Sequence, residues 1–129
     1  MKHPGKHSTQ FEKLCAAAQA AIEELSIEQL LEDQAKGSSP LILDIREDHE
    51  WDKGHIPNAQ HLGRGILERD IETIAPDKDA PLILYCGGGY RSALAAESLK
   101  KMGYQRPLSL AGGWRRWCDL KQPTVIPAT

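Results

Sequence analysis

The chain has 129 residues, 40% of them apolar and 26% charged, with a formal charge of −2, which is the profile of one ordinary folded domain. A charge so close to zero, with both signs interspersed and no basic stripe set with aromatics, excludes the field that draws a protein to nucleic acid or an anionic membrane. No apolar run approaches the ~20 residues that cross a bilayer, and the polar start Met1–Gln10 lacks the apolar core of a secretory signal, so the cytosol is the expected compartment. Three cysteines, Cys15, Cys86 and Cys118, are an odd count that predicts free thiols rather than a disulfide framework.

Beyond a polar tail holding His3 and His7, to which no role is assigned, Phe11, Leu14, Cys15, Ala18, Ile22 and Leu25 recur at spacings of three and four. That period predicts an amphipathic helix over 11–25, whose apolar face must be covered by its own domain or by a partner, with its own domain favoured. Ser26 to Gln29 reads as a capping box opening a second helix with Ile27, Leu30, Leu31 and Ala35 on one face, and Gly37–Pro40 stops it. Two helices are therefore expected before any strand. Leu41–Ile45 and Pro81–Tyr85 are continuous apolar runs, the pattern of strands buried on both faces of a parallel sheet. Ala59–Leu62 and Pro107–Leu110 are shorter strand candidates, and helical or turn-like pieces fall at 47–52, 66–74, 92–102 and 114–120. Strands alternating with helices predict an α/β fold with a mostly parallel central sheet. The expected organisation is a helical extension at 1–25, one domain at 26–122 and a tail at 123–129.

The chemistry concentrates in Tyr85-Cys86-Gly87-Gly88-Gly89-Tyr90-Arg91-Ser92. Cys86 falls at the carboxyl end of a predicted strand, where ligands bind in open α/β sheets. Three glycines then allow main-chain N–H groups to approach closely, and a loop running into a helix N-terminus forms a nest of donors that stabilises an anion. Arg91 offers planar N–H donors to an oxyanion, with a loop-locking ion pair as the competing role. A thiolate, an amide cradle and a guanidinium together suit nucleophilic attack on an oxyanion-bearing electrophile.

Other candidates have plainer readings. Cys15 lies on an apolar helix face and is read as core, and Cys118, one turn after Trp114, carries at most a minor resolving role. Glu47 and Glu50 are read as helix-start and surface charges. His49, His55 and His61, six residues apart, do not share a helical face, so no metal site is expected. His55 is expected to make structural hydrogen bonds, and Trp51, Trp114 and Trp117 to anchor packing. Gly112-Gly113 is read as a tight turn closing the sheet edge.

Leu43-Asp44-Ile45-Arg46-Glu47, Glu50-Trp51 and Gly54-His55-Ile56-Pro57-Asn58-Ala59 resemble the first half of a rhodanese domain. Tyr85 to Ser92 and Leu110-Ala111-Gly112-Gly113-Trp114 resemble its second half, so that the likeness runs from Ser26 to Leu120. The resemblance implies a five-stranded mostly parallel sheet flanked by helices, with the N-terminal helix as an addition. It also implies a persulfide-forming Cys86, a substrate-binding loop of Gly87, Gly88, Gly89, Tyr90, Arg91 and Ser92, and Asp44 and Arg46 as groups bracing the loop. The expected reaction is ping-pong sulfur transfer from thiosulfate, a small persulfide or a protein persulfide to cyanide or a thiol, with no metal or organic cofactor. Residues 86–91 match the six-residue loop of the family, whereas phosphatases of the same fold carry one residue more. Gly87 to Tyr90 add none of the cations that many thiosulfate-using members carry inside the loop. A phosphatase and a non-catalytic sulfur-carrier or docking module are the alternatives.

Overall fold

The computed structural model describes residues 7–38 and 40–127; His3, one residue of the helix-stopping run and the last two residues of the expected tail lie outside the described residues. The elements run α1 (Thr9–Ala21), β1 (Glu23–Leu25), α2 (Ile27–Ala35), β2 (Leu41–Asp44), α3 (Asp48–Asp52) and β3 (Gln60–His61). After a 3-10 turn at Arg64–Ile66 come α4 (Leu67–Ile74), β4 (Leu82–Tyr85), α5 (Tyr90–Lys101), β5 (Pro107–Leu110) and α6 (Gly113–Asp119). The five strands form one sheet in the order β1-β5-β4-β2-β3, and every pairing is parallel. Among the described residues no helix is long and apolar enough to cross a membrane.

The unbroken apolar runs follow from a sheet covered on both sides. Successive side chains of a strand point to opposite faces, so Leu43, Leu82 and Leu84 enter one core with Ile71, Ala95, Ala96 and Leu99 of α4 and α5. Ile42, Ile83 and Leu108 enter the other, with Ile27 and Leu30 of α2 and Trp117 of α6. The two cores fix the register of β2 against β4, Leu41 opposite Leu82 and Asp44 opposite Tyr85, because a one-residue slip would exchange every side chain between them. The chain passes outward from β2 to β3 and then returns to the other side of β2 as β4. This reversal opens a crevice at the carboxyl ends of β2 and β4, the place where such sheets bind ligands.

Three expectations at the N-terminus change. The helix predicted to reach Leu25 ends at Ala21, and Glu23–Leu25 is an edge strand paired with β5, so a strand separates the two helices. Its sequence offers one apolar residue in three, and the backbone of β5 recruits it instead. Leu14, expected on the inner face, is 56% exposed, while Cys15 and Ala18 are fully buried. The buried face of α1 lies against α5 of the same chain, and Lys100 Nζ donates to Ala21 O at 3.2 Å. Ser26 caps α2 by accepting from Gln29 N at 3.0 Å, but the Gln29 side chain turns forward to Asp33 at 2.8 Å rather than completing a capping box.

Candidate active site

Cys86 follows β4 directly and is 1% exposed. Its Sγ accepts from Gly89 N at 3.1 Å and from Ser92 N at 3.4 Å, and it lies 3.5 Å from Ser92 Oγ. Ser92 Oγ is in turn 2.7 Å from Ser109 Oγ, so a chain of two fully buried hydroxyls ends on the sulfur. The three glycines of the loop are not equivalent. Gly89 alone among them has a left-handed backbone, φ +104°, at the N-cap of α5, and this turn aims its amide at the sulfur. The amides of Gly88, Tyr90 and Arg91 have no hydrogen-bond partner among the described residues, as expected for the first turn of a helix.

The loop is clamped from behind by α6. Trp114 N donates to Cys86 O at 2.8 Å and Arg115 N donates to Gly87 O at 2.9 Å. Gly112 and Gly113, with φ +80° and +51°, make this approach possible, because a Cβ on Gly113 would collide with the Cys86 carbonyl. The Gly112-Gly113 turn therefore does not close a sheet edge. β5 lies inside the sheet, between β1 and β4, and the turn after it holds the cysteine loop.

Arg91 crosses the mouth of the loop, with Nη1 on Glu50 Oε1 at 2.8 Å and Nη2 on Glu50 Oε2 at 3.0 Å. The Arg91 guanidinium is the main cause that brings the Glu50 carboxyl from an ordinary 4.5 to about 2, with the Glu47 amide adding to it. Glu50 is thus a partner of the loop, not a plain surface charge. It comes from α3 across the crevice, 41 residues away in sequence. Cys86, Gly87, Gly88 and Arg91 open onto a cavity of about 670 Å³, whose other walls include Arg115 and Phe11.

A family model described as "Rhodanese-like domain" matches residues 26–120. The chain belongs to the rhodanese-like family. It is 33% identical over 106 residues to a protein named "Sulfurtransferase" from Allochromatium vinosum, covering 82% of this chain and 97% of the relative. It is 31% identical to the "Putative sulfur carrier protein YrkF" of Bacillus subtilis over 76% of this chain, but spans only 52% of that protein. It spans 31% of the "Probable adenylyltransferase/sulfurtransferase MoeZ" of Mycobacterium tuberculosis, at 30% identity over 90% of this chain. Among solved structures, a protein of unknown function from Rhodopseudomonas palustris, called a "Possible Tyrosine Phosphatase", superposes with TM-score 0.80 at 30% identity over 96% of this chain and all of that one. A thiosulfate sulfurtransferase from Pseudomonas aeruginosa superposes with TM-score 0.79 at 25% identity, covering 92% of this chain and 23% of that one.

Within the rhodanese-like domain, Asp44 and Arg46 lie beside the crevice but beneath its surface, 0% and 3% exposed. Arg46 Nη2 donates to Asp44 Oδ2 and to Gly54 O, each at 2.7 Å, and Arg46 Nε reaches both Asp44 oxygens. The guanidinium sits 4.8 Å from the Trp114 ring centroid and 5.7 Å from that of Tyr85. This pair ties β2 to the Gly54 turn and to the helix that clamps the loop. Tyr85 accepts from Ile56 N at 3.1 Å, and its burial, reinforced by the Asp44 charge, raises its phenol pKa.

His55 Nδ1 is 2.9 Å from Ile56 O, and its ring stacks on Trp51 at 3.6 Å, with His61 on that indole at 5.0 Å. Cys15 is fully buried, and burial, then the Cys86 charge, pushes its thiol pKa up. Cys118 is exposed on α6 and does not line the cavity, and desolvation raises its thiol pKa too. Sequence reasoning missed Glu50, Ser109, Arg115 and the cavity wall from the N-terminal segment. Only Ser109 left a local signal, as a polar residue in an otherwise apolar strand.

Proposed function

We propose that this domain is a sulfurtransferase that carries sulfane sulfur on Cys86. The observation that carries the reading is the Cys86 sulfur itself, held at the floor of a cavity by two amides with further amides of the same turn open beside it. Such donors stabilise a thiolate before reaction and an anionic persulfide after it. The relatives named sulfurtransferase or sulfur carrier support the same chemistry.

The Cys86 thiolate attacks the outer sulfur of the donor. A new S–S bond forms as the donor's bond to that sulfur breaks, and its electron pair leaves with sulfite or a thiolate. The terminal sulfur remains on Cys86 as an anionic persulfide, stabilised by the loop amides from Gly87 to Ser92. A thiophilic acceptor, cyanide or a thiol, then attacks the terminal sulfur and returns Cys86 as thiolate. Thiosulfate, small persulfides and protein persulfides are the donor classes. No step calls for a metal or an organic cofactor.

Intact-protein mass after incubation with thiosulfate tests the reading. Wild type is expected to gain one sulfur mass (~32 Da), lost again on adding cyanide, while Cys86→Ser gains nothing. A gain in Cys86→Ser equal to that of wild type would remove Cys86 from the mechanism. The name of the Rhodopseudomonas palustris structure favours a phosphatase as second reading. The six-residue span from Cys86 to Arg91 weighs against it, and release of phosphate from an aryl phosphate, dependent on Cys86, would establish it instead.

A further inference from the structure

The donors around Cys86 Sγ differ in how they are held. The amides of Gly89 and Ser92 are fixed by the backbone at the start of α5, and the Arg91 guanidinium beside the sulfur is held by Glu50. The Ser92 hydroxyl, 3.5 Å from the sulfur, can rotate, so its direction depends on its other neighbour. That neighbour is Ser109 Oγ, 2.7 Å away.

Ser109 is the polar residue of an apolar strand. Leu108 and Leu110 on either side of it enter the core under α2 and α6, so alternation turns Ser109 to the opposite face, against α5. Across the sheet it stands in register with Leu84. It is 0% exposed, and among the described residues its hydroxyl has no partner other than Ser92. Alanine would fill the same place, so packing accounts for a small residue but not for the hydroxyl. Because the chain of hydroxyls stops at Ser109, it cannot lead a proton to solvent. What it can do is set a direction.

Sulfur, Ser92 Oγ and Ser109 Oγ make three atoms with two links. When the sulfur is an anion, two hydroxyl protons remain for those links, and one arrangement uses both: Ser109 donates to Ser92, and Ser92 donates to sulfur. The reverse order leaves the Ser109 O–H without an acceptor in a dry core, which is costly. We propose that Ser109 is a positioning residue for sulfur delivery, holding the Ser92 O–H on Cys86 Sγ as negative charge returns there. This rests on the sulfurtransferase reading. In delivery the acceptor forms a bond to the terminal sulfur, the bond from that sulfur to Sγ breaks, and its electron pair goes to Sγ. No proton changes hands, and no oxidant or reductant takes part. In loading the charge leaves Sγ, so the same hydrogen bond gives no help.

Single-turnover kinetics with thiosulfate as donor and cyanide as acceptor separate the two halves. In Ser109→Ala the rate constant for delivery is expected to fall about tenfold, the scale of one hydrogen bond to a charged atom. Loading, expressed per thiolate from its ultraviolet absorbance, is expected to match wild type. Ser92→Ala should slow delivery at least as much, and adding Ser109→Ala to it should change nothing further, because Ser109 acts through Ser92. Ser109→Thr, which keeps a hydroxyl on the strand, should deliver faster than Ser109→Ala. Thermal midpoints show that each variant is folded at the assay temperature. Unchanged delivery in Ser109→Ala, a loss shared equally by both halves, or additive losses in the double variant overturns the role of Ser109. Wild type that takes up sulfur on Cys86 from neither thiosulfate nor a small persulfide, by mass, overturns the sulfurtransferase reading instead, so the two failures are told apart.

Discussion

Arg46 with Asp44 and Arg91 with Glu50 are both two-pronged arginine–carboxylate pairs at the carboxyl ends of neighbouring strands, yet their surroundings differ. The first is dry, with 3% and 0% of its side chains exposed, and it is closed by the Gly54 carbonyl and two aromatic rings. The second stands at the cavity mouth with 33% and 27% exposed. A buried pair holds a fold together because removing one member strands the other in a low dielectric. A pair at a mouth is screened by water and contributes little to stability, but it sets where a loop and its donors stand. The same chemistry thus serves architecture in one place and geometry in the other.

The sharpest way to break the contrast is Arg46→Met, which leaves the Asp44 carboxylate uncompensated at 0% exposure. Its expected cost is about 3–5 kcal/mol, measured as a drop in the urea midpoint. Adding Asp44→Leu to that variant should recover much of the loss, and a double variant no better than the single would show that packing rather than charge sets the cost. Glu50→Gln should cost only about 1 kcal/mol of stability. Because it frees Arg91 to move, it should also slow sulfur loading of Cys86 about tenfold, the scale expected of a misplaced catalytic loop. A loading rate equal to wild type would make the pair purely a surface ornament of the fold. The smallest effect is in acid. Since the Glu50 pKa is about 2 when folded against an ordinary 4.5, the unfolded chain binds the proton more readily across that window. The contribution of the pair is therefore complete above pH 4.5 and is lost as pH falls through about 2. Stability plotted against pH should fall less steeply over that window in Glu50→Gln than in wild type.

What the sequence disclosed follows the range of the forces involved. β2 and β4 were legible because burial on two faces demands unbroken apolar runs. The cysteine loop was legible because the glycines, Cys86 and Arg91 adjoin in the chain. β1 was not, because Glu23-Glu24-Leu25 continues the helical period of α1, and only the edge of β5 draws it into the sheet. Nor was the pairing of Glu50 with Arg91, since nothing near either residue in sequence specifies a partner 41 positions away. The Gly112-Gly113 turn was seen, but its task was not: the collision that demands a missing Cβ is with the Cys86 carbonyl, in another part of the chain. The docking of α1 that carries Phe11 to the cavity was likewise a matter of which surface covers its apolar face.

With its carbonyl pinned by Trp114 N and the residue only 1% exposed, Cys86 has almost no freedom except rotation of its own side chain. A second sulfur would stand ~2 Å beyond the first, one S–S bond length nearer the opening. Under the proposed function, the carried sulfur would be presented to an incoming thiophilic acceptor while the cysteine sulfur beneath it stays recessed. Loading would change what the outside world can touch without moving the backbone, so delivery depends on the acceptor coming in to the sulfur and not on the loop swinging out.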